Sequence, residues 1–200
     1  MNILITGVTS GFGRQIAIDC IKNGFTVIGT GRRKNKLDDL KSELGDNFMP
    51  LCFDIGDMSA TKTALQTLPN DILAGIDVLI NNAGLALGLE SADKANMNDW
   101  QAMINTNTLG LVNITREILP FMVAKNDGYV INISSTAGNY PYFGANVYGA
   151  SKAFVTQFSL NLRADLIGKK VRVTNIEPGL CGGTEFSNVR FYGDDERADK

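Results

Sequence analysis

Asn2-Ile-Leu-Ile-Thr6, Gly7-Val-Thr-Ser-Gly11-Phe-Gly13 and Arg14-Gln-Ile-Ala-Ile-Asp-Cys-Ile-Lys-Asn23 are the three consecutive pieces that decide the fold. The first is short, apolar and β-branched, as a buried strand requires. The third carries Ile16, Ala17, Cys20 and Ile21 at helical spacing and stops at Gly24, a residue suited to the position after a helix. Between them the spacing is T-G-x-x-x-G-x-G, not G-x-G-x-x-G. Strand, glycine turn and helix form the setting that a dinucleotide pyrophosphate needs. Glycine lets the backbone come close, and the helix N-terminus offers free N–H groups to the anion. A plain strand-to-helix turn is the competing reading, and the context favours the cradle.

The same alternation continues outward. Phe25 to Gly29 reads as a second strand, Lys36 to Leu44 as an amphipathic helix closed by Gly45, and Phe48 to Ile55 as a third strand. Ser59 to Leu68 reads as a helix stopped by Pro69. Ile76 to Ile80 is a fourth strand that runs into Asn81-Asn82-Ala83-Gly84, and Leu85 to Asn98 is a loop. Trp100 to Lys125 is long and mostly helical, with Gly110 and Pro120 inside it. Tyr129 to Ile133, a helix from about Val147 to Ile167, and Val171 to Ile176 complete the series before Glu177-Pro178-Gly179. Strands alternating with helices predict an α/β fold, a Rossmann-type doubly wound parallel sheet of at least six strands. Two hundred residues suit one domain spanning 1–200.

Bulk properties narrow the function. A net charge of −2 gives no reason to expect nucleic acid or an anionic membrane as partner. No apolar run approaches the ~18 residues of a membrane span. Cys20, Cys52 and Cys181 are widely spaced, odd in number and without a metal-ligand pattern; they read as reduced thiols of a cytoplasmic protein with no metal. There is no histidine. Ser-His triads and His bases are excluded, and acid–base chemistry falls to Tyr, Lys, Asp or Glu.

Five features carry that chemistry. At the end of the second strand, where NAD-specific folds tend to place an acid, stand Arg32 and Arg33, which suit a 2′-phosphate and hence NADP(H). Tyr148-Gly-Ala-Ser-Lys152 puts a phenol and an ammonium on one helix face. At ~4 Å and an effective dielectric of ~20 the ammonium favours the phenolate by at most ~4 kcal/mol, before its own desolvation is subtracted. With five tyrosines in the chain the pair gains weight only from its company. Asn107 sits mid-helix, unfavourable unless its side chain has a task. Of Ser134 and Ser135, the strand's period of two lets only one face a cleft. Amides such as Asn82 at a strand end can cap the sheet and line a ligand crevice, and the two readings do not conflict.

These pieces together resemble the short-chain dehydrogenase/reductases. Thr6 to Gly13, Asn81-Asn-Ala-Gly84, Asn107, Ser135, Tyr148-x-x-x-Lys152 and Pro178-Gly179 with Thr184 occur in that family's order and spacing, over essentially residues 1–190. Asn146 to Phe154 and Glu177 to Phe191 are similar to one subgroup, the NADP-dependent 3-hydroxy acid dehydrogenases. The resemblance implies hydride transfer between NADP(H) and a short 3-hydroxy acid such as L-allo-threonine, serine or 3-hydroxypropionate/malonic semialdehyde. It implies Tyr148 as acid–base, Lys152 lowering its pKa and holding the nicotinamide ribose, Ser135 on the substrate oxygen, and Asn107 supporting a relay water. It assigns Gly7, Val8, Thr9, Ser10, Gly11 and Phe12 to the pyrophosphate, Arg32 and Arg33 to the 2′-phosphate, Asp54 and Ile55 to the adenine, and Asn82 to the ribose. Pro178, Gly179, Thr184 and Phe186 fall along the nicotinamide. The spacing to Tyr148 favours Ser135 over Ser134.

Residues 180–200 read as a Gly-rich substrate lid. Arg190, a lone cation in it, is either a clamp for the substrate carboxylate or a solvated side chain. The family usually runs to ~250 residues and adds a seventh strand, so the resemblance implies a missing C-terminal strand and an exposed edge on the sixth. It also implies a homodimer or homotetramer, the dimer built on the helices bearing Asn107 and Tyr148. A general carbonyl reductase of the same family, or a truncated NADPH-binding protein without catalysis, are the alternatives.

Overall fold

The computed structural model describes residues 1–181 and 185–194. Eight helices and six strands are named in chain order. β1 (Asn2–Thr6), α1 (Gly11–Lys22), β2 (Thr26–Gly31), α2 (Lys34–Leu44) and β3 (Phe48–Cys52) form the first half. α3 (Met58–Leu65), α4 (Asn70–Ala74), β4 (Ile76–Asn81), α5 (Met97–Ile104), α6 (Leu111–Lys125) and β5 (Gly128–Ile133) follow. α7 (Asn146–Asp165), β6 (Val171–Ile176) and α8 (Phe186–Arg190) end the described chain.

Every strand pair is parallel, in the order β3-β2-β1-β4-β5-β6. This is the doubly wound arrangement, in which the order reverses between β1 and β4 and opens a crevice at the carboxyl ends of those strands. The sheet's two-residue period divides the core. Leu4 and Leu79 face the side covered by α3, α6 and α7, where Leu65, Ile114, Ile118 and Leu162 pack. Ile3, Ile5 and Val78 face the side where Ala17, Ile18, Leu37 and Leu40 of α1 and α2 pack. Being buried on both faces, β1 needs a continuous apolar run. Among the described residues β3 and β6 end the sheet. Pro50 sits in β3, an edge position that tolerates a missing N–H. None of the described helices is long and apolar enough to cross a membrane.

Trp100 to Lys125 is helical along its length: α5 starts at Met97, capped by Asn96, and a π-helical turn at Asn105–Gly110 joins it to α6. The π-turn ends on Gly110, which packs closely: a Cβ there would meet the Ile55 carbonyl oxygen at 2.9 Å. Two local readings are corrected. Pro69 does not stop a helix at Leu68. α3 has already ended at Leu65, and Pro69 opens the short α4, its φ of −52° suiting a helix start. Strand β3 ends at Cys52, two residues before Asp54.

Gly29 of β2 lies beneath the Phe48 ring, and a Cβ on it would fall 2.4 Å from that ring. Gly29→Ala is expected to lower stability by about 1–3 kcal/mol. In a Phe48→Leu background the same substitution costs less, read as a positive coupling in urea denaturation of the double-mutant cycle.

Candidate active site

The crevice between the two halves is built first from backbone. Gly7 has φ +74°, and a Cβ there would meet Ala83 at 3.0 Å. A Cβ on Gly13 would lie 2.3 Å from the Gly7 carbonyl oxygen. Glycine is therefore needed at both for the turn to close on the Asn82-Ala83 segment. Thr6 Oγ1 accepts from the N–H groups of Asn82 (3.0 Å) and Ala83 (2.9 Å). Asn82 Nδ2 donates to the carbonyls of Thr6 (2.8 Å) and Gly7 (3.1 Å). The amide assigned to a ribose thus spends both donors on the cradle, because it sits where β1 and β4 diverge. Ser10 precedes α1 without capping it by its side chain. Arg14 makes the backbone bond to Ser10 (3.3 Å), so Gly11, Phe12 and Gly13 precede any intrahelical partner. Gly7, Thr9, Ser10, Gly11 and Phe12 line the cleft. Val8 does not. Its side chain is fully buried among the α1-side core residues and its N–H, like that of Gly7, donates to Thr30.

Beyond the cradle, Arg32, Arg33, Asp54 and Ile55 line the same cleft. Arg32 pairs with Asp54 at 3.4 Å, and Asp54 also accepts from the Gly56 N–H at 2.9 Å. Arg33 donates through Nη2 to Thr9 Oγ1 (3.0 Å) and through Nη1 to Glu185 Oε2 (2.8 Å). Lys36 holds the other oxygen of Glu185. Lys36 and Glu185 are not visible as site residues in the sequence. They are 149 positions apart, and Lys36 reads as the solvated side of α2. The one local signal is its i+3 spacing from Arg33.

Tyr148 and Lys152 lie one turn apart on α7, both buried, at 7% and 5% exposure. Lys152 Nζ donates to the Ile133 carbonyl at 2.9 Å and stands 5.9 Å from the centre of the Tyr148 ring. Among the described residues no carboxylate forms an ion pair with it, and burial pulls its pKa down to about 8. The Tyr148 pKa is raised, chiefly by burial, against the opposing hydrogen bond from Ser135 and the nearby Arg190 charge. The expectation that Lys152 depresses it is corrected here. The ammonium is directed at a backbone carbonyl, so desolvation of the phenol wins.

The two serines divide as the strand period requires. Ser134 is buried and donates to the Lys152 carbonyl (2.7 Å), fastening β5 to α7. Ser135, in the cleft, accepts from the Ala137 N–H (3.1 Å) and hydrogen-bonds Tyr148. Asn107, in the π-turn, is buried behind the cleft and does not line it. Its amide donates to the Leu85 carbonyl (2.9 Å) and Ser151 Oγ (3.0 Å), and its oxygen accepts from the Leu85 N–H (2.9 Å). The task that justifies a mid-helix Asn is therefore to clip the chain after β4.

The segment after β6 covers the cleft. The Pro178 carbonyl accepts from the Thr136 N–H at 3.1 Å, and Gly179 lines the wall. The Phe186 ring centre is 5.7 Å from that of Tyr148. Thr184 lies outside the described residues. Arg190 donates to the Gly88 carbonyl (3.1 Å) and the Tyr142 hydroxyl (3.0 Å), with its guanidinium 5.9 Å from the Tyr148 ring centre. Its Nη2 is buried with no hydrogen-bond partner among the described residues. The whole cleft holds about 1020 Å³, at the upper end of the range for small-molecule sites, roughly 300–1,000 Å³. A glycine cradle that any Cβ would fill, cations at one end and a Ser–Tyr–Lys cluster at the other fit a nicotinamide dinucleotide plus a small substrate.

Comparison with known proteins agrees. Residues 1–192 match the family model for short chain dehydrogenase. An NADP-dependent 3-hydroxy acid dehydrogenase of Escherichia coli K12 is 58% identical over 200 residues, covering 100% of this chain and 80% of that protein. A serine 3-dehydrogenase of Agrobacterium fabrum is 54% identical over 98% of this chain and 78% of its own length. The closed form of serine dehydrogenase complexed with NADP+ superposes with a TM-score of 0.97 at 57% identity, covering 100% of this chain and 80% of that one.

Lys152 generates a pH-dependent stability. Below pH 8 it is protonated in both the folded and unfolded chain, and burying the ammonium costs on the order of 3 kcal/mol, given a folded pKa of about 8 against an ordinary 10.5. As pH rises from 8 to 10.5 that cost disappears. Lys152→Met is expected to be more stable than the parent by about 1–3 kcal/mol at pH 7, with the difference closing towards pH 10.5 in urea titrations.

Proposed function

The chain belongs to the short-chain dehydrogenase family, and on that premise we propose that it is an NADP-dependent oxidoreductase of short 3-hydroxy acids. L-allo-threonine, serine and 3-hydroxypropionate/malonic semialdehyde are its substrate class. The observation that carries the substrate is the unpartnered Arg190 Nη2 beside Tyr148 in the cleft. A guanidinium held by Gly88 and Tyr142, its Nη2 without a partner among the described residues, suits a carboxylate one or two carbons from the reacting hydroxyl. The full-length likeness to NADP-dependent 3-hydroxy acid and serine dehydrogenases supports the same reading.

Bound NADP(H) supplies the hydride acceptor or donor. The residues that would hold it are Gly7 and Thr9 to Phe12 for the pyrophosphate, Arg33 for the 2′-phosphate, Asp54 and Ile55 for the adenine, and Lys152 with Pro178, Gly179 and Phe186 towards the nicotinamide. Tyr148 takes or gives the proton at the substrate oxygen, and Ser135 orients that oxygen by a hydrogen bond. A raised phenol pKa keeps Tyr148 protonated, the form needed to reduce a carbonyl. Lys152 places positive charge one turn away, where it favours phenolate once substrate is being oxidised. Asn107 positions the Leu85 segment that forms the opposite wall. We place the enzyme in the cytoplasm as a homodimer or homotetramer, with Ile104, Leu109 and Phe154 exposed on the helices assigned to the dimer.

A second reading keeps this chemistry with a bulkier carbonyl substrate, since Tyr140, Tyr142 and Val189 give the outer cleft an apolar rim. Relative rates on serine and on an aromatic ketone separate the two.

Purified protein is expected to reduce NADP+ with L-allo-threonine and L-serine, to use NAD+ at least tenfold less well, and to lose turnover in Tyr148→Phe by 10²-fold or more. No turnover with either amino acid, alongside activity on the ketone, would replace the leading substrate class by the second. Arg190→Met is expected to raise KM for the hydroxy acids by about 10–100-fold, the cost of a lost charge-assisted pair. It should leave KM for NADP+ within twofold; an unchanged hydroxy-acid KM would remove Arg190 from the site.

A further inference from the structure

Arg33 and Lys36 converge on one carboxylate. Glu185 Oε2 accepts from Arg33 Nη1 at 2.8 Å, and Oε1 accepts from Lys36 Nζ. Arg33 immediately precedes α2 and Lys36 lies in its first turn, so the two cations project side by side. They stand at the end of β2, where a doubly wound fold receives the adenosine ribose. Glu185 comes from the opposite side of the molecule, on the segment that also carries Phe186 and Arg190 over the cleft. The pair of cations is therefore a preformed oxyanion site, and the protein's own carboxylate sits in it. Arg32, by contrast, is more exposed and is held by Asp54 at 3.4 Å.

We propose that Arg33 and Lys36 together form the 2′-phosphate subsite, and that Glu185 is an internal competitor for it which the phosphate displaces. The proposal rests on the NADP reading above and adds two residues to it. A 2′-phosphate has more charge and more acceptor oxygens than a carboxylate, so it wins the two cations when the cofactor binds. NAD+ has no such group and leaves Glu185 in place. Cofactor discrimination is thus set by the exchange of one anion for another, and not by the cations alone. The competition is mild, since the three side chains are 36–42% exposed and such pairs are weak.

The test is the dissociation constant of NADP+ and of NAD+, read by quenching of protein fluorescence, for the parent, Glu185→Gln and Lys36→Met. Glu185→Gln is expected to tighten NADP+ binding two- to fivefold and to leave NAD+ within a factor of two. Lys36→Met is expected to weaken NADP+ five- to twentyfold with NAD+ unchanged. The advantage of Glu185→Gln should shrink in 0.5 M NaCl, where the ion pairs are screened. Weaker NADP+ binding in Glu185→Gln would overturn the proposal, showing that Glu185 closes over the bound cofactor instead of competing with it. Unchanged NADP+ binding in either variant, or equal effects on both cofactors, would overturn it as well. A parent protein with no preference for NADP+ over NAD+ would instead refute the cofactor reading itself, so the two failures are distinguishable.

Discussion

The Asn82 side chain, donating to the carbonyls of Thr6 and Gly7 while Thr6 receives the next two N–H groups, is the contact on which the site depends. It lies where the strand order reverses, at the ends of β1 and β4. There these side chains supply partners for the Thr6 and Gly7 carbonyls and the Ala83 N–H in a half-buried crevice, where an unpaired backbone group costs about 1–3 kcal/mol. Stitching the two strand ends fixes the width of the opening. It also explains why Gly13 has no side chain, since that position would collide with both the Gly7 carbonyl and the Asn82 amide. The anion cradle is a by-product of this closure. The α1 N-terminus is drawn close enough to the turn that no side chain can stand between its N–H groups and the cleft.

A second polar chain holds the reactive groups in register. Asn81 donates to Thr115 of α6 (2.9 Å) and to Asn132 of β5 (2.8 Å), and Asn132 donates to Ser159 of α7 (2.8 Å). All four residues are buried. Buried polar groups are costly unless paired, and once paired they permit few alternative alignments. Together with the Ser134–Lys152 bond they lock α7 against β5, so that Ser135, on a strand end, meets Tyr148, on a helix. Lys152 brings an ammonium into this buried region and donates to the Ile133 carbonyl, while Asn81 Oδ1 is buried with no hydrogen-bond partner among the described residues.

Legibility followed sequence distance. The strand, glycine turn and helix of residues 2–22 were readable because strand, cap and C′ glycine are local signals. The mid-helix Asn107 was rightly marked as having a task, but the task is a backbone clip on Leu85, and the π-turn around it leaves no local signature. Of the two readings of Asn82, the one that caps the sheet is seen in its bonds to the Thr6 and Gly7 carbonyls, and the residue lines the cleft as well. Val8 was carried into the cofactor site with its neighbours, yet strand-like alternation through the turn sends its side chain to the core. The direction of the Tyr148 shift was also misread. Spacing on a helix says that two residues are neighbours, and cannot say that the ammonium prefers the Ile133 carbonyl. Glu185 and Lys36 escaped altogether, since their partnership exists only after the chain has crossed the whole sheet.

That crossing gives the segment after β6 a particular mechanical position. Glu185 rests on the cofactor-side wall through Arg33 and Lys36, and Arg190 rests on the substrate-side wall through Gly88 and Tyr142. Between them lies α8, five residues long and thus about 7–8 Å from end to end. An element so short is not stable on its own in water, so its helical state depends on tertiary contacts, those of Glu185 and Arg190 and the packing of Phe186 on Tyr148 among them. Whatever changes at one wall is felt at the other without any long pathway. If a phosphate takes the cations from Glu185, α8 is released at its N-terminal end while Arg190 still holds its C-terminal end. If a carboxylate takes the remaining donor of Arg190, the opposite end is fixed more firmly. On the reading proposed above, the residues that would recognise the two ligands also hold this segment in place.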